Sequence, residues 1–363
     1  MRVLYITDGG PGGVSSHVRC LTQCLKGVAE VMVCITQRTD ALRKMLEEDG
    51  TPYYLCNCKS GHDLRLFFEM RRVVKAFRPD VIHLHDYRLF GALYLRWFTK
   101  IPRICSIHLP SNPKPRYSRR VVNWAVQPCY WLPVSRNNWE RFRSYHPGVR
   151  GEVFFNPVRI GRGRELEKVV GVGEWKGATF TVGMVGRNAV VKDWPSFCAV
   201  AQRCEKCERC ERMKFVGVGV SEDEAKEFGE GAKRVEWKGL QPNGREWISK
   251  MDLLLLTSFS EEMPTVVLEA FQVGTPICGF IPRGGMHDIL ALSNGALKEV
   301  FIEERDPQKL AGIVRRLAED SELRRRVAED GWQILTRHFD AEKNCRGQLM
   351  EIYRKESKRL QNG

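Results

Sequence analysis

Short apolar runs alternate with amphipathic stretches along most of this chain. Runs such as Arg2–Thr7, Val31–Thr36 and Leu253–Leu256 have the length and composition of buried strands. Between such runs, Leu64–Phe77 carries apolar side chains at helical spacing, with arginine and lysine on the opposite face. The pattern therefore predicts strands that alternate with helices.

The stretch from residue 253 to residue 270 combines a strand, a polar loop and the start of a helix. After the apolar run, Pro264 suits the first turn of a helix, where a missing N–H costs nothing. Glu261 lies in the loop and Glu269 in the second helical turn. Free N–H groups at a helix N-terminus bind phosphate, and carboxylates accept hydrogen bonds from sugar hydroxyls. The stretch therefore predicts a site for a nucleotide sugar.

Glycines also follow predicted strands. Gly12 and Gly13 end the loop after the first strand, where backbone amides can approach a phosphate closely. Their spacing is not the G-x-G-x-x-G pattern, so a nicotinamide cofactor is not implied. Gly217 and Gly219 form a similar turn after the strand that begins at Lys214.

Two cations lie near the end of the predicted strand from Phe180 to Gly186. They are Arg187 and Lys192. A guanidinium and an ammonium at one strand end can both reach a diphosphate. The simpler interpretation is a pair of solvated loop cations.

Histidines close two predicted strands of the first half. His83 and His85 alternate along one strand and so share a face, whereas His108 ends the strand from Arg103. A metal pair at His83 and His85 remains open, but structural hydrogen bonding at the strand end is favoured. Ligands of open α/β sheets gather at strand carboxyl ends, which makes His108 a candidate contact.

The positive charge is concentrated in the first half of the chain. The formal net charge is +14, and residues 1–159 hold 25 Lys and Arg against 12 Asp and Glu, whereas residues 160–363 hold 33 against 32. A one-sided positive field favours an anionic partner, such as nucleic acid, an anionic membrane surface or a phosphorylated glycan. A merely solvated basic face is the alternative.

Length and composition indicate the number of domains, the absence of a membrane span and the redox state of the cysteines. The 363 residues allow two domains, and no apolar run reaches the roughly 18 residues of a membrane span. Without a recognisable signal peptide, the 13 cysteines are expected to be reduced thiols in the cytoplasm. Cys204, Cys207 and Cys210 have no fourth ligand of matching form, so thiols of a helix are favoured over a metal site, and their role stays open.

Taken in order, these motifs resemble those of glycosyltransferase family 4. The pair Glu261-x7-Glu269, followed by Gly274-Thr275-Pro276, resembles the E-x7-E motif of retaining enzymes with the GT-B fold. Glu262 stands where the usual form has glycine. Gly186-Arg187 with Lys192 resembles the family's G-R-x4-K motif, and Gly217 with Gly219 resembles its G-x-G motif at the nucleotide. Gly12-Gly13 resembles the family's glycine loop, and His108 resembles its histidine that contacts the donor sugar.

The resemblance implies an α/β protein of GT-B fold, with two Rossmann-like domains whose parallel sheets face each other across a cleft. The expected acceptor domain is 1–160, completed by a C-terminal helix at about 343–363. The expected nucleotide-sugar domain is 174–342, after a linker at 161–173.

The resemblance also implies retaining transfer of a hexose from a nucleotide sugar, with a UDP-sugar favoured over a GDP-sugar. The basic first half suggests that the acceptor is a hydroxyl of an anionic or lipid-linked cell-envelope glycan, such as a lipopolysaccharide. The expected place is the cytoplasm, at the inner face of the membrane. No cofactor or metal is expected, because cations and a helix dipole neutralise the diphosphate. The implied catalytic residues are His108, Arg187, Lys192 and Glu261. The implied donor-binding residues are Gly12, Gly13, Gly186, Gly217, Gly219, Met263, Pro264, Thr265 and Glu269.

Two alternatives remain open at this point. One is an epimerase or hydrolase of the same fold that acts on a nucleotide sugar without an acceptor. The other is a nucleic-acid-binding protein that uses the basic half. The basic residues lack the interleaved stacking aromatics of known nucleic-acid modules, so no nucleic-acid partner is expected.

Overall fold

The structure is a computed structural model that describes residues 1–361 except Pro11, Arg38, 60–62, Tyr87, 109–116, 161–178 and 205–212. The chain divides into two compact units, and the first contains Met1–Arg159 together with Phe339–Gly363. The second unit is Ile160–His338. The predicted linker at 161–173 lies outside the described residues, as do Cys207 and Cys210.

The first unit is built on a parallel seven-stranded sheet with the order β3-β2-β1-β4-β5-β6-β7. Its strands are β1 (Arg2–Thr7), β2 (Glu30–Gln37), β3 (Tyr53–Cys58), β4 (Val81–Leu84), β5 (Arg103–Ile107), β6 (Tyr130–Pro133) and β7 (Arg150–Gly151). The helices that connect them are α1 (Gly13–Leu25), α2 (Ala41–Glu48), α3 (Arg65–Phe77), α4 (Leu89–Phe98), α5 (Tyr117–Val126) and α6 (Arg136–Tyr145).

Alternate side chains of β1 enter two different cores of the first unit. Val3 and Tyr5 belong to the core that contains Leu21 of α1, whereas Leu4 and Ile6 belong to the core that contains Leu66 of α3. Both faces of the sheet are therefore covered, as expected for parallel strands. This explains why the strands read as continuous apolar runs.

The second unit is built on a parallel six-stranded sheet with the order β10-β9-β8-β11-β13-β15, accompanied by the two-stranded ribbon β12-β14. The strands are β8 (Phe180–Val185), β9 (Met213–Val218), β10 (Val235–Trp237), β11 (Leu253–Leu256), β12 (Ser260–Glu261), β13 (Ile277–Phe280), β14 (Arg283–Gly284) and β15 (Phe301–Ile302). The α-helices are Trp194–Cys204, Glu222–Ala225, Gly244–Ile248, Thr265–Val273, Met286–Leu292, Pro307–Glu319 and Ser321–His338. Short 3₁₀ turns cover Val190–Lys192, Lys226–Phe228, Glu230–Arg234 and Ala296–Glu299.

The end of the chain returns to the first unit. It forms a helical turn at Ala341–Lys343, a π-helical segment at Asn344–Leu349 and a helix at Met350–Gln361. Leu349 and Tyr353 pack in the same core as α1. The C-terminal helix that was expected at about 343–363 is thus observed as a π-helical segment followed by an α-helix.

The strand that follows β6 in the sheet is β7, and beyond it Val158 makes an isolated bridge with Asp340. One sequence expectation about a strand needs correction. The strand expected to end at His108 ends one residue earlier, at Ile107.

Candidate functional site

In each sheet, the direction in which successive strands are added reverses at one point, and ligands of open α/β sheets bind at such a point. In the first sheet β1 lies between β2 and β4, and in the second β8 lies between β9 and β11. A crevice forms outside the carboxyl ends of the strands at such a switch point. Most of the predicted residues follow these strands or their neighbours, each group within its own unit.

In the second unit the predicted Lys192 and Glu261 form an ion pair. The Lys192 Nζ atom donates to Glu261 Oε1 at 2.6 Å, and Ser258 Oγ donates to the same oxygen at 2.8 Å. The two charged side chains are only 18% and 15% exposed. The carboxylate is thus held in a fixed position, and the ammonium is ready to meet an anion.

The backbone around Glu261 explains the two glycines that follow β13. Glu261 pairs with Gly284 between β12 and β14, and Gly285 donates its N–H to the Glu261 carbonyl at 2.9 Å. A Cβ atom on Gly284 would lie 2.1 Å from that carbonyl oxygen, and its φ of 111° disfavours other residues. The glycines therefore let the Glu261 loop sit close to β14.

The helix Thr265–Val273 begins beside this loop with no side-chain cap. Pro264 is its N-cap residue, and its carbonyl accepts from the N–H of Val267 at 3.0 Å. In the part of the chain that the structure describes, the N–H groups of Thr265 and Val266 have no hydrogen-bond partner. They are available to an anion, as predicted from the sequence. Met263 and Pro264 are buried, whereas the Thr265 side chain is exposed.

Glu269 lies one turn further along the same helix and is half-buried. Burial raises the pKa of Glu269, and the positive charges of Arg245 and Lys192 oppose that rise. Its carboxylate makes no hydrogen bond or ion pair with the described residues. A half-buried acceptor near two cations is suited to ligand hydroxyl groups.

Arg305 supports the site, and no motif in the sequence singled it out. It donates to the Ser258 carbonyl at 3.1 Å, and it also hydrogen-bonds the Thr257 carbonyl and pairs with the Asp193 carboxylate. Its guanidinium lies 4.0 Å from the centre of the Phe259 ring. Arg305 therefore ties the loop that carries Ser258 to the turn that follows Lys192.

The glycine turn of β9 packs against the end of β8. A Cβ atom on Gly219 would lie 2.3 Å from the Gly186 carbonyl oxygen, and one on Gly217 would lie 2.4 Å from the Trp237 ring. Gly186 in turn donates its N–H to the Val218 carbonyl at 2.9 Å. These glycines are needed for packing in the free protein.

Arg187 is the one predicted cation of the second unit that faces solvent. Its side chain is exposed and makes no hydrogen bond or ion pair with the residues that the structure describes. Its carbonyl accepts from the Trp194 indole N–H at 3.2 Å, which fixes the backbone. The guanidinium is therefore free to meet a ligand.

In the first unit the glycine loop leads directly into a helix. Gly12 has a φ of 123° and is the N-cap residue of α1, which begins at Gly13 and has no side-chain cap. Ser15 Oγ donates to the Gly10 carbonyl at 2.5 Å. The uncapped start of α1 lies after β1, at the switch point of its sheet.

Four histidines cluster at the same switch point. His83 Nδ1 lies 2.6 Å from the Tyr353 hydroxyl and its Nε2 lies 2.8 Å from Ser106 Oγ, which confirms structural hydrogen bonding for His83. His85 Nδ1 and His108 Nε2 are 3.1 Å apart. The fourth member is His17, from α1, which the sequence interpretation did not include.

The cluster is neutral at physiological pH. Burial lowers the pKa of His83 to about 3 and that of His108 to about 4. Burial also lowers the pKa of His17 and of His85 well below the ordinary value. Neutral imidazoles keep one nitrogen as a hydrogen-bond acceptor or metal ligand.

Each of the two units matches the model of a known protein family. Residues 11–158 match the family model described as Glycosyltransferase Family 4, and residues 179–320 match the one described as Glycosyl transferases group 1. The chain belongs to glycosyltransferase family 4. This membership confirms the family expected from the E-x7-E and G-R-x4-K motifs.

Two curated relatives of this family 4 chain carry names from cell-envelope synthesis. TuaC of Bacillus subtilis, assigned to teichuronic acid biosynthesis, is 32% identical over 28% of this chain. The lipopolysaccharide core biosynthesis glycosyltransferase LpsE of Rhizobium meliloti is 27% identical over 30% of it. The matched parts span only 25% and 31% of those relatives' lengths.

A solved structure establishes the fold of this family 4 chain. The crystal structure of HepE from Anabaena, in complex with UDP and glucose, superposes with a TM-score of 0.75 at 20% identity. The match covers 98% of this chain and 100% of that one. The two units therefore form a GT-B fold, as expected from the sequence.

Proposed function

We propose that this protein transfers a hexose from a nucleotide sugar, UDP-linked by preference, to a hydroxyl of a cell-envelope glycan, with retention at the anomeric carbon. One observation carries the proposal: the Lys192–Glu261 ion pair lies beside an uncapped helix N-terminus, with the unpartnered Glu269 one turn further along. A diphosphate needs cations and N–H donors, and a sugar and a ribose need fixed carboxylates.

The binding step uses the ion pair as it stands. An incoming diphosphate draws the Lys192 ammonium toward its own oxygens and leaves Glu261, still held by Ser258, to accept from sugar hydroxyls. Arg187 and the N–H groups of Thr265 and Val266 share the negative charge. Glu269 accepts from the ribose. This charge balance involves no divalent metal, and we propose that the transfer needs no cofactor.

The chemical step then proceeds on one face of the sugar. The acceptor oxygen forms a bond to the anomeric carbon as the bond to the phosphate oxygen breaks, and the acceptor proton passes to the departing phosphate. The step uses no protein nucleophile, because Glu261 remains held by Ser258 and accepts hydrogen bonds from the sugar hydroxyls. His108 supplies a neutral imidazole that contacts and orients the sugar, and the Gly12-Gly13 amides assist the phosphate.

The acceptor is proposed to be anionic or lipid-linked because of a surface on α3, α4 and α5. We call it the aromatic surface, and its members are Leu64, Phe68, Trp97, Phe98 and Trp124, between 44% and 63% exposed. Arg71, Lys75 and Lys100 are exposed on the same helices or directly after them. Apolar side chains among basic ones are typical of peripheral contact with an anionic membrane.

This contact would be peripheral, at the inner face of the cytoplasmic membrane. None of the helices in the described part of the chain is long and apolar enough to span a bilayer. The names of the two relatives, which refer to teichuronic acid and to lipopolysaccharide core, support a glycan of the cell envelope as acceptor.

The test is a transfer assay with UDP-, GDP- and ADP-hexoses and lipid-linked or anionic glycan acceptors. We expect a product that forms only with acceptor and keeps the donor's anomeric configuration by NMR. An inverted product would contradict retention. Free sugar or an epimer formed without acceptor would instead favour the hydrolase or epimerase, and high affinity for nucleic acid without donor binding would favour the remaining alternative.

A further inference from the structure

Three imidazoles of the first unit, two of them buried and that of His108 half-buried, converge on one point. His17 comes from the second turn of α1, His85 directly follows β4, and His108 directly follows β5. One ring nitrogen from each lies within 4.8 Å of the other two. Among the described residues, this is the group of histidine, cysteine and carboxylate side chains that is close enough to share a metal ion.

Ring nitrogens without a hydrogen-bond partner indicate that this cluster binds a ligand. Neither ring nitrogen of His17 has a hydrogen-bond partner, and Nε2 of His85 has none either. The two side chains are only 5% and 6% exposed. A buried polar atom without a partner destabilises the fold, so native proteins rarely contain one without a functional reason.

The surrounding side chains hold the rings in place without taking these nitrogens. His83 uses both of its nitrogens on Tyr353 and Ser106, and its ring stacks on His85 with centroids 4.2 Å apart. The Tyr5 ring meets the His85 ring edge-on at 5.3 Å. His83 is thus a support of the cluster and not one of its candidate ligands.

We propose that His17, His85 and His108 bind a divalent transition-metal ion of the zinc class, with one coordination position left open. Three imidazoles and a free position form a common zinc environment, with metal–nitrogen distances of about 2.0–2.1 Å. Nitrogens separated by 4.8 Å at most have a common point within about 2.8 Å of each, so ring shifts below about 1 Å complete the site.

The ion would tie the start of α1 to the ends of β4 and β5. It would also engage His108, so the ion and a donor sugar compete for one imidazole if His108 has the role proposed above. The metal site itself does not depend on that role. It rests on three side chains of the first unit, and it can be tested in the absence of any nucleotide.

The experiment uses untagged full-length protein, stripped with a chelator and then dialysed. Zinc is titrated against a chromophoric competitor, and cobalt is added to separate samples as a spectroscopic probe. We expect one zinc ion per chain and intense visible cobalt bands of tetrahedral type. His17→Gln and His85→Gln should each weaken zinc binding roughly tenfold or more. His287→Gln, which removes an exposed histidine of the second unit, should change nothing.

Circular dichroism of each variant shows whether it is folded, and the cobalt spectrum of the unchanged protein does not depend on any variant. Zinc binding below one tenth of an equivalent in the unchanged protein would overturn the proposal. So would undiminished binding in folded His17→Gln and His85→Gln. Because no nucleotide is present, neither result depends on whether the second unit binds a donor.

Discussion

At the scale of single residues, the second unit places opposite charges where a ligand is expected to replace one of them. Lys192 and Glu261 neutralise each other at 2.6 Å in the free protein. Arg187 is solvent-exposed and Glu269 lacks a partner, so neither is engaged with another side chain. The ligand-free site therefore contains one ion pair and two charged side chains that are not paired with another side chain. This arrangement suits a ligand that carries both phosphates and hydroxyls.

Replacing Lys192 by alanine should reduce transfer by roughly 10²–10³-fold, since one positively charged donor to the leaving group is lost. Arg187→Ala should act in the same direction. Lys226→Ala is the matched control, because Lys226 also pairs with a carboxylate but is 74% exposed. Steady-state kinetics measure the effect, with circular dichroism to verify the fold. Near-normal turnover in both site variants would contradict the proposed role.

The partly buried carboxylate of Glu269 should lower the stability of the fold at neutral pH, while it contributes to nucleotide binding. Because burial raises its pKa, the folded protein binds this proton more tightly than the unfolded chain does. Its charge therefore destabilises the fold at neutral pH, and the penalty disappears as pH falls below the ordinary carboxyl pKa. Glu269→Gln should raise the melting temperature at pH 7 while weakening nucleotide binding.

Thermal unfolding between pH 4 and pH 8 measures the stability effect. The gain in Glu269→Gln should shrink as the pH approaches 4. A variant that is less stable than the unchanged protein at pH 7 would show that Glu269 has a structural partner instead. The same change at Glu246, which is exposed, serves as the control.

At the scale of elements, the close approach of β8 and β9 depends on glycine. Gly219 has a φ of 100°, and an added Cβ would meet the Gly186 carbonyl oxygen at 2.3 Å. Gly219→Ala should therefore cost both stability and nucleotide binding. Gly229 has a φ of 87° with nothing within 4 Å, so Gly229→Ala carries the backbone strain without the collision.

Comparison of the two alanine variants isolates the collision from the strain. Chemical denaturation should give a larger loss of unfolding free energy for Gly219→Ala, by roughly 1–3 kcal/mol. Equal losses would mean that the end of β8 moves aside freely, and that its position does not depend on this glycine.

Much of this arrangement could be predicted from the sequence, because it depends on local patterns. Fully buried parallel strands read as apolar runs, and the uncapped helix start is visible in the order Glu261, Pro264, Glu269. Arg305 and His17 could not be predicted. Each lies far along the chain from its partners, and nothing in the flanking residues marks an arginine that bonds loop carbonyls or a histidine that faces two strand ends.

At the scale of the whole molecule, charge and exposed apolar area occur together in the first unit. Its sequence to residue 159 carries 25 basic against 12 acidic residues, and it presents the aromatic surface. Long-range attraction to anionic lipid would bring this surface to the bilayer, and burial of its apolar side chains would hold it there.

Binding to vesicles with phosphatidylglycerol should weaken steeply between about 0.1 M and 0.5 M salt, because screening shortens the reach of the basic charges. Phe68→Ser with Phe98→Ser should reduce binding about tenfold at fixed salt. Leu240→Ser removes an 86% exposed apolar side chain of the second unit and should have no effect. Co-sedimentation measures all three, and binding that is insensitive to both salt and the double substitution would contradict the membrane contact.

The account depends most on a nucleotide-sugar site in the second unit, and calorimetric titration tests it most directly. UDP, GDP, ADP and their hexose conjugates are added in turn to the unchanged protein and to Lys192→Ala. We predict that one nucleotide, UDP by preference, binds once per chain with a dissociation constant between about 1 μM and 1 mM, and that Lys192→Ala binds it more weakly. Failure of every nucleotide to bind, or equal affinity in Lys192→Ala, would contradict the account.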